Sequence, residues 1–116
     1  MAYVDGFVVP VKKDRVDDYK KLAALAEKVC REHGAIDYVE CLADDVSYGE
    51  VTSFPRAIQL QDDEIAAFSW VVYPSREKRD QANKKVMEDP RMQAQSDWPF
   101  DDKRIIWGGF IPFIGL

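Results

Sequence analysis

The sequence predicts an α+β domain of the ferredoxin-like, split βαβ type, an antiparallel sheet with two helices on one face. Three observations carry that expectation. The periodicities along the chain read strand, helix, strand, strand, helix, strand. The 116 residues are 47% hydrophobic and 32% charged, which fits one globular domain spanning 1–116. The strands also carry more apolar side chains than two short helices can cover.

Residues 2–10 hold Val4, Phe7, Val8 and Val9 and reach Pro10. Apolar residues fall on both faces, as in a central strand. Asp5 and Gly6 stand out inside it, because Gly in a strand marks a bulge or a close backbone approach. A helix over 15–33 follows. Asp14 is placed to cap it, Asp17 and Asp18 suit the positive end of its dipole, and Gly34 suits its end. Val16, Tyr19, Leu22, Ala23, Ala26, Val29 and Cys30 keep helical spacing.

Residues 36–44 alternate, with Ile36, Tyr38, Glu40 and Leu42 on one side. The polar segment 45–56 is longer than a hairpin needs and reads as an arm that closes a subunit interface. Ala57, Ile58 and Leu60 before Gln61-Asp62-Asp63-Glu64, with an apolar strand over 65–73 after, predict a hairpin. Ser75 caps a second helix whose inner side is Arg79, Ala82, Asn83, Val86 and Met87. Pro90 ends that helix, and a helical turn fits within 90–97. The last strand covers 103–111, with Gly108-Gly109 inside it, and Pro112-Phe113-Ile114-Gly115-Leu116 follows.

Val4, Val8, Phe68, Trp70, Ile106 and Trp107 cannot all point at two helices. Apolar surface left in water costs roughly 25 cal/mol per Å². Pairing two such faces across a two-fold axis removes that cost, so the expected partner is a second copy of the chain. The net charge of −5 and pI near 4.8 argue against nucleic acid and anionic membrane surfaces. The N-terminus lacks a secretory pattern, no run is long enough to span a bilayer, and the two cysteines, Cys30 and Cys41, have no metal spacing. The expected location is the cytoplasm, with reduced thiols.

Asp5 and Glu40 are acids in half-buried strands. Such a carboxyl serves as a general acid or base, or else pairs with Arg104 or Arg56 or bonds Tyr3 or Tyr38. His33, the one histidine, is a base or haem ligand on one reading and a C-terminal helix cap on the other. Arg79 and Asn83 lie one helical turn apart and could orient a carboxylate or carbonyl ligand, or else pair within the fold. Trp70 and Trp107, with Arg104 nearby in sequence, line an apolar ligand cavity or fill core and interface. The candidate catalytic set is thus Asp5, Glu40 and His33. The candidate ligand-binding set is Arg79, Asn83, Trp70, Trp107 and Arg104. Neither a metal nor a cofactor is expected.

The runs Tyr3-Val4-Asp5-Gly6-Phe7-Val8-Val9, Val39-Glu40-Cys41, Gly49-Glu50-Val51-Thr52, Phe68-Ser69-Trp70, Tyr73-Pro74-Ser75, Arg79-Asp80, Asp89-Pro90-Arg91-Met92, Pro99-Phe100-Asp101, Lys103-Arg104 and Gly108-Gly109-Phe110 occur in this order along the chain. Together they resemble the YbaA-like family of small bacterial proteins of unknown function. The resemblance implies a dimeric α/β barrel, the architecture of several small monooxygenases, muconolactone isomerase and stress-responsive barrels. It implies no reaction. The sequence therefore leaves the function unassigned between two readings. One is a homodimeric small-molecule enzyme, a cofactor-independent oxygenase or isomerase with a pocket at the sheet for a small aromatic or apolar molecule. The alternative is a non-catalytic dimeric ligand-binding or stress-response protein.

Overall fold

Strand β1 (Tyr3–Lys12) is the axis of the sheet in the computed structural model, which describes all 116 residues. It runs past the expected stop at Pro10, and the register explains why. Pro10 faces Ala66 across the ladder, and the Ala66 carbonyl accepts from Ala43 N–H on its other side, at 2.9 Å. Pro10 therefore sits at a non-hydrogen-bonded pair, and its missing N–H leaves no ladder bond unmade.

A short 3₁₀ turn, Lys13–Arg15, leads into helix α1 (Val16–Glu32). Asp14 lies inside that turn and does not cap the helix, whose N-cap position is Arg15 without a side-chain bond. At the other end Ala35 N–H donates to the Cys30 carbonyl and Gly34 N–H to the Arg31 carbonyl, with Gly34 at φ +120°. That paired closure needs the left-handed backbone that glycine supplies.

Strand β2 (Asp37–Leu42) pairs directly with strand β3 (Glu64–Tyr73). The expected strand at 57–60 is absent. Pro55 suits a first helical turn, and Ser53 Oγ accepts from Arg56 N–H at 3.1 Å, so Phe54–Ala57 forms a one-turn helix, α2. Ile58, 1% exposed, then packs on Val8 and Ala66. The segment after β2 thus folds over one end of its own sheet.

Helix α3 (Arg76–Glu88) is capped by Ser75, whose Oγ accepts from Lys78 N–H at 3.1 Å. Ala82 is its buried contact, while Met87, expected inside, is exposed because it falls on the solvent side of the turn. The short α4 (Pro90–Gln93) follows from Asp89. Strand β4 (Ile106–Phe110) is shorter than expected, since Asp102–Arg104 is a 3₁₀ turn. Arg104 is drawn into the fold there, donating to Glu64 Oε2 at 2.5 Å and Asp101 Oδ2 at 2.9 Å.

The strands lie in the order β2-β3-β1-β4, all antiparallel. Alternation divides the side chains between two faces. One face, with Phe7, Val9, Val11, Val71 and Tyr73, packs under α1 and α3. The other carries Val4, Val8, Phe68, Trp70, Ile106 and Phe110 around an open concavity of about 550 Å³. Trp107 alternates to the other side, pairs with Phe7 and stacks on that ring at 6.2 Å, and reaches the rim of the concavity from the sheet edge. No helix is long and apolar enough to cross a membrane.

Candidate functional site

Glu40 marks a cleft between α1 and β2. It lies on β2, an edge strand, with its side chain turned toward α1. Tyr19 on α1 donates its hydroxyl to Glu40 Oε1 at 2.8 Å, and Tyr38 donates to Oε2 at 2.9 Å. The spacing i, i+2 on β2 puts Tyr38 and Glu40 on one face. Tyr19 falls on the buried stripe of α1, where Ala23 and Ala24 leave room beside it. The result is a cleft of about 400 Å³ between helix and strand, with Leu42 on its wall and Lys20 and Glu27 among its lining residues.

Burial raises the Glu40 carboxyl above its ordinary value, and the two tyrosine hydrogen bonds act against that rise. Burial raises both phenols as well, and the Glu40 charge adds to it. The tyrosines therefore stay protonated and keep donating while Glu40 gains or loses its proton. This arrangement can hold, take and return one proton at a carboxylate beside an apolar wall.

A second polar cluster lies under α3. Asp5 is 1% exposed, and Arg79 Nε stands 3.1 Å from its Oδ1. The pair is held by charge, because the Nε–H is not aimed at that oxygen and neither atom has a hydrogen-bond partner. Burial raises the Asp5 carboxyl, opposed by Arg79 and by the Asn83 amide. Arg79 Nη2 donates to the Tyr3 hydroxyl at 3.2 Å with its guanidinium 4.8 Å over the Tyr3 ring, and Tyr73 donates to Asn83 Oδ1 at 3.3 Å. Gly109 makes the cluster fit. A Cβ there would lie 2.2 Å from Arg79 Nη2 and 2.3 Å from the Tyr3 oxygen.

The structure thus joins Asp5, Arg79 and Asn83 in one buried cluster and places Glu40 with two tyrosines in another. The partner of Asp5 is Arg79, on neither side of the alternatives Arg104 and Arg56 that sequence spacing offered. Cys30 lies between the clusters, its thiol pushed up to about 11 by burial and by the charges of Asp5 and Glu40. His33 stands apart as the C-cap residue of α1, its Nε2 3.1 Å from Asp89 Oδ2. Arg104 is spent on Glu64, Asp101 and the carbonyls of Ile58 and Gln59. Trp70 lines the open face, and Trp107 meets the rim of the same concavity from the sheet edge. Sequence reasoning missed Tyr19 as a functional group. Its one signal was a hydroxyl on an otherwise apolar helix stripe. No three His, Cys, Asp or Glu side chains converge as a metal set.

Comparison with known proteins follows the same lines. Residues 2–102 match the model of a family described as a protein of unknown function, DUF1428. The chain is 50% identical over 111 residues to the uncharacterized protein YbaA of Escherichia coli K12, covering 95% of each chain. The YbaA proteins of Escherichia coli O157:H7 and Shigella flexneri match it to the same extent, 50% over 95% of each. The chain belongs to the DUF1428 family.

Proposed function

We propose that this chain is a ferredoxin-like subunit of a homodimeric α/β barrel that acts on a small, largely apolar molecule in the cleft between α1 and β2, with Glu40 as the proton-transfer group. One observation carries the reading: a carboxyl raised by burial, with a tyrosine hydroxyl on each oxygen, opens on an apolar-walled cleft of about 400 Å³. A base with a raised pKa takes protons more effectively near neutral pH. In the step proposed, the Glu40 carboxylate takes a proton from an acidic C–H or phenolic O–H, leaving the substrate as an enolate or phenolate. An isomerase returns that proton from the carboxylic acid to a different atom. A cofactor-independent oxygenase instead lets the substrate anion give electrons to dioxygen.

The open sheet face supports the dimer. Phe68, Ile106 and Phe110 on that face are each more than two-fifths exposed, apolar surface that a second copy would remove from water. The concavity on that face has almost no polar lining, which suits a subunit contact better than chemistry. Both cysteines are free thiols, which suits the cytoplasm.

A thermal-shift panel of aromatic acids, quinones and enolisable ketones tests the cleft. The expected hit stabilises the wild type and is turned over, and Glu40→Gln lowers that turnover by roughly a hundred-fold or more with the fold intact. Binding that survives in Glu40→Gln without turnover in either protein selects the non-catalytic, ligand-binding alternative. A hit indifferent to Glu40→Gln and Tyr19→Phe removes the cleft from consideration.

A further inference from the structure

Nearly every polar side chain lining the cleft between α1 and β2 is spent inside the chain. The hydroxyls of Tyr19 and Tyr38 each hold one oxygen of Glu40. Glu27 accepts from Arg31 Nε at 3.1 Å. Lys20 is the exception. It is exposed, it lines the cleft, and it enters no ion pair or side-chain hydrogen bond. Residues three and four apart on a helix are surface neighbours, so Lys20 stands beside Ala23 and Ala24. Neither alanine is long enough to screen it. Its stem can lie along that apolar wall with the ammonium over the opening.

The cleft therefore offers a ligand one carboxyl on an apolar wall and one uncommitted cation at its rim. From Lys20 to Glu27 the α1 wall advances seven positions, about 10 Å at 1.5 Å each. The volume of about 400 Å³ lies toward the lower end for small-molecule sites, which suits one ring with a short arm. Charge decides the class. The chain carries −5 overall, so a small anion is repelled by its net field and attracted where an unpaired cation faces it. A cationic molecule meets the reverse, because the free charge at the rim repels it and Glu27 is already paired. Resting on the reading that Glu40 moves a proton in this cleft, we infer that the molecule taken there is a small aromatic or enolisable carboxylic acid, its carboxylate held by Lys20 and its acidic proton turned to Glu40. When the Glu40 carboxylate takes that proton, the substrate gains a second negative charge, and the Lys20 ammonium offsets it.

The test is calorimetric titration with para-hydroxybenzoate, para-hydroxyphenylacetate and phenylpyruvate, each beside its neutral primary amide. At least one acid is expected to bind the wild type about ten-fold tighter than its amide. Lys20→Met removes that preference and leaves the amide affinity unchanged, while Lys20→Arg keeps most of it. Lys20 is exposed, so these variants are expected to melt with the wild type. A second pair of variants spends the cation without removing it. Ala24→Glu places a carboxylate four residues on from Lys20 and is expected to weaken the acid preference, and the near-isosteric Ala24→Gln is expected to keep it. Acids and amides bound equally by the wild type, a preference that survives Lys20→Met, or no acid bound at all would each overturn the proposal. Neutral ketones turned over through Glu40 with no acid bound overturn the anion site and leave the proposed reaction standing. An acid held by Lys20 that neither the wild type nor Glu40→Gln turns over upholds the anion site and removes the reaction.

Discussion

Gly109→Ala is the sharpest test of the cluster beneath α3. The added methyl would lie 2.2 Å from Arg79 Nη2, 2.3 Å from the Tyr3 oxygen and 2.6 Å from Tyr3 Cε2. Something must move, and two responses compete. Swinging Arg79 out leaves Asp5, 1% exposed, without its cation, and stranding a buried charge in this way costs about 3–5 kcal/mol. Shifting β4 outward strains a five-residue edge strand held on one side only, at the ordinary overpacking cost of about 1–3 kcal/mol. The cheaper response wins, so the expected loss is about 1–3 kcal/mol. For a chain of this size that lowers the melting temperature by roughly 4–12 °C. The control is Gly108→Ala, whose methyl meets only the Phe110 ring, at 3.6 and 3.8 Å. That is ordinary contact, and the expected change is under about 1 kcal/mol. Tyr3→Phe removes the nearest oxygen and is expected to recover part of the Gly109→Ala loss. Urea unfolding of the four proteins decides the matter. Equal effects of alanine at 108 and 109 would refute the claim that Gly109 is required by close approach.

Other expectations follow from the same contacts. Arg104→Ala strands Glu64, whose side chain has no exposed surface, and is expected to cost about 3–5 kcal/mol by urea unfolding, whereas Arg104→Met combined with Glu64→Gln costs less. Arg104 holds the Glu64 carboxyl below its ordinary value. The stability it adds is present above about pH 4.5 and is lost as pH falls through the lowered folded value, so the acid slope of the urea midpoint is expected to flatten in Arg104→Met. Glu40 has the opposite sign. Its folded value is raised, so its ionisation erodes stability as pH rises through that value, and Glu40→Gln is expected to gain on the wild type as pH rises above about 4.5. Tyr19→Phe and Tyr38→Phe each remove a bond to the charged form and are expected to raise the Glu40 titration midpoint further, read by carboxyl carbon NMR. Thiol labelling is expected to show Cys41 reacting at once and Cys30, buried and pushed up to about 11, only on unfolding.

Periodicity of 2 and of 3–4 residues is a local property of the chain, and it carried the order β1-α1-β2-β3-α3-β4 but not the helical turn at Phe54–Ala57. It placed α1 and α3, the core of β1 and almost the full extent of β3. It also singled out Asp5, Glu40, Arg79 and Asn83 as polar groups on inward faces. What it could not supply was pairing. Arg79 rather than Arg104 neutralises Asp5, because α3 crosses the β1 side of the sheet while Arg104 is tied to Glu64 and two loop carbonyls. The strand expected at 57–60 became a helical turn because burying Ile58 on Val8 and Ala66 outweighed local alternation. Tyr19 reached Glu40 only through the packing of α1 on an edge strand, across 21 positions of sequence. Local spacing fixes which way a side chain faces; which group it meets is set by strand order and helix crossing, and these exist only once the chain has folded.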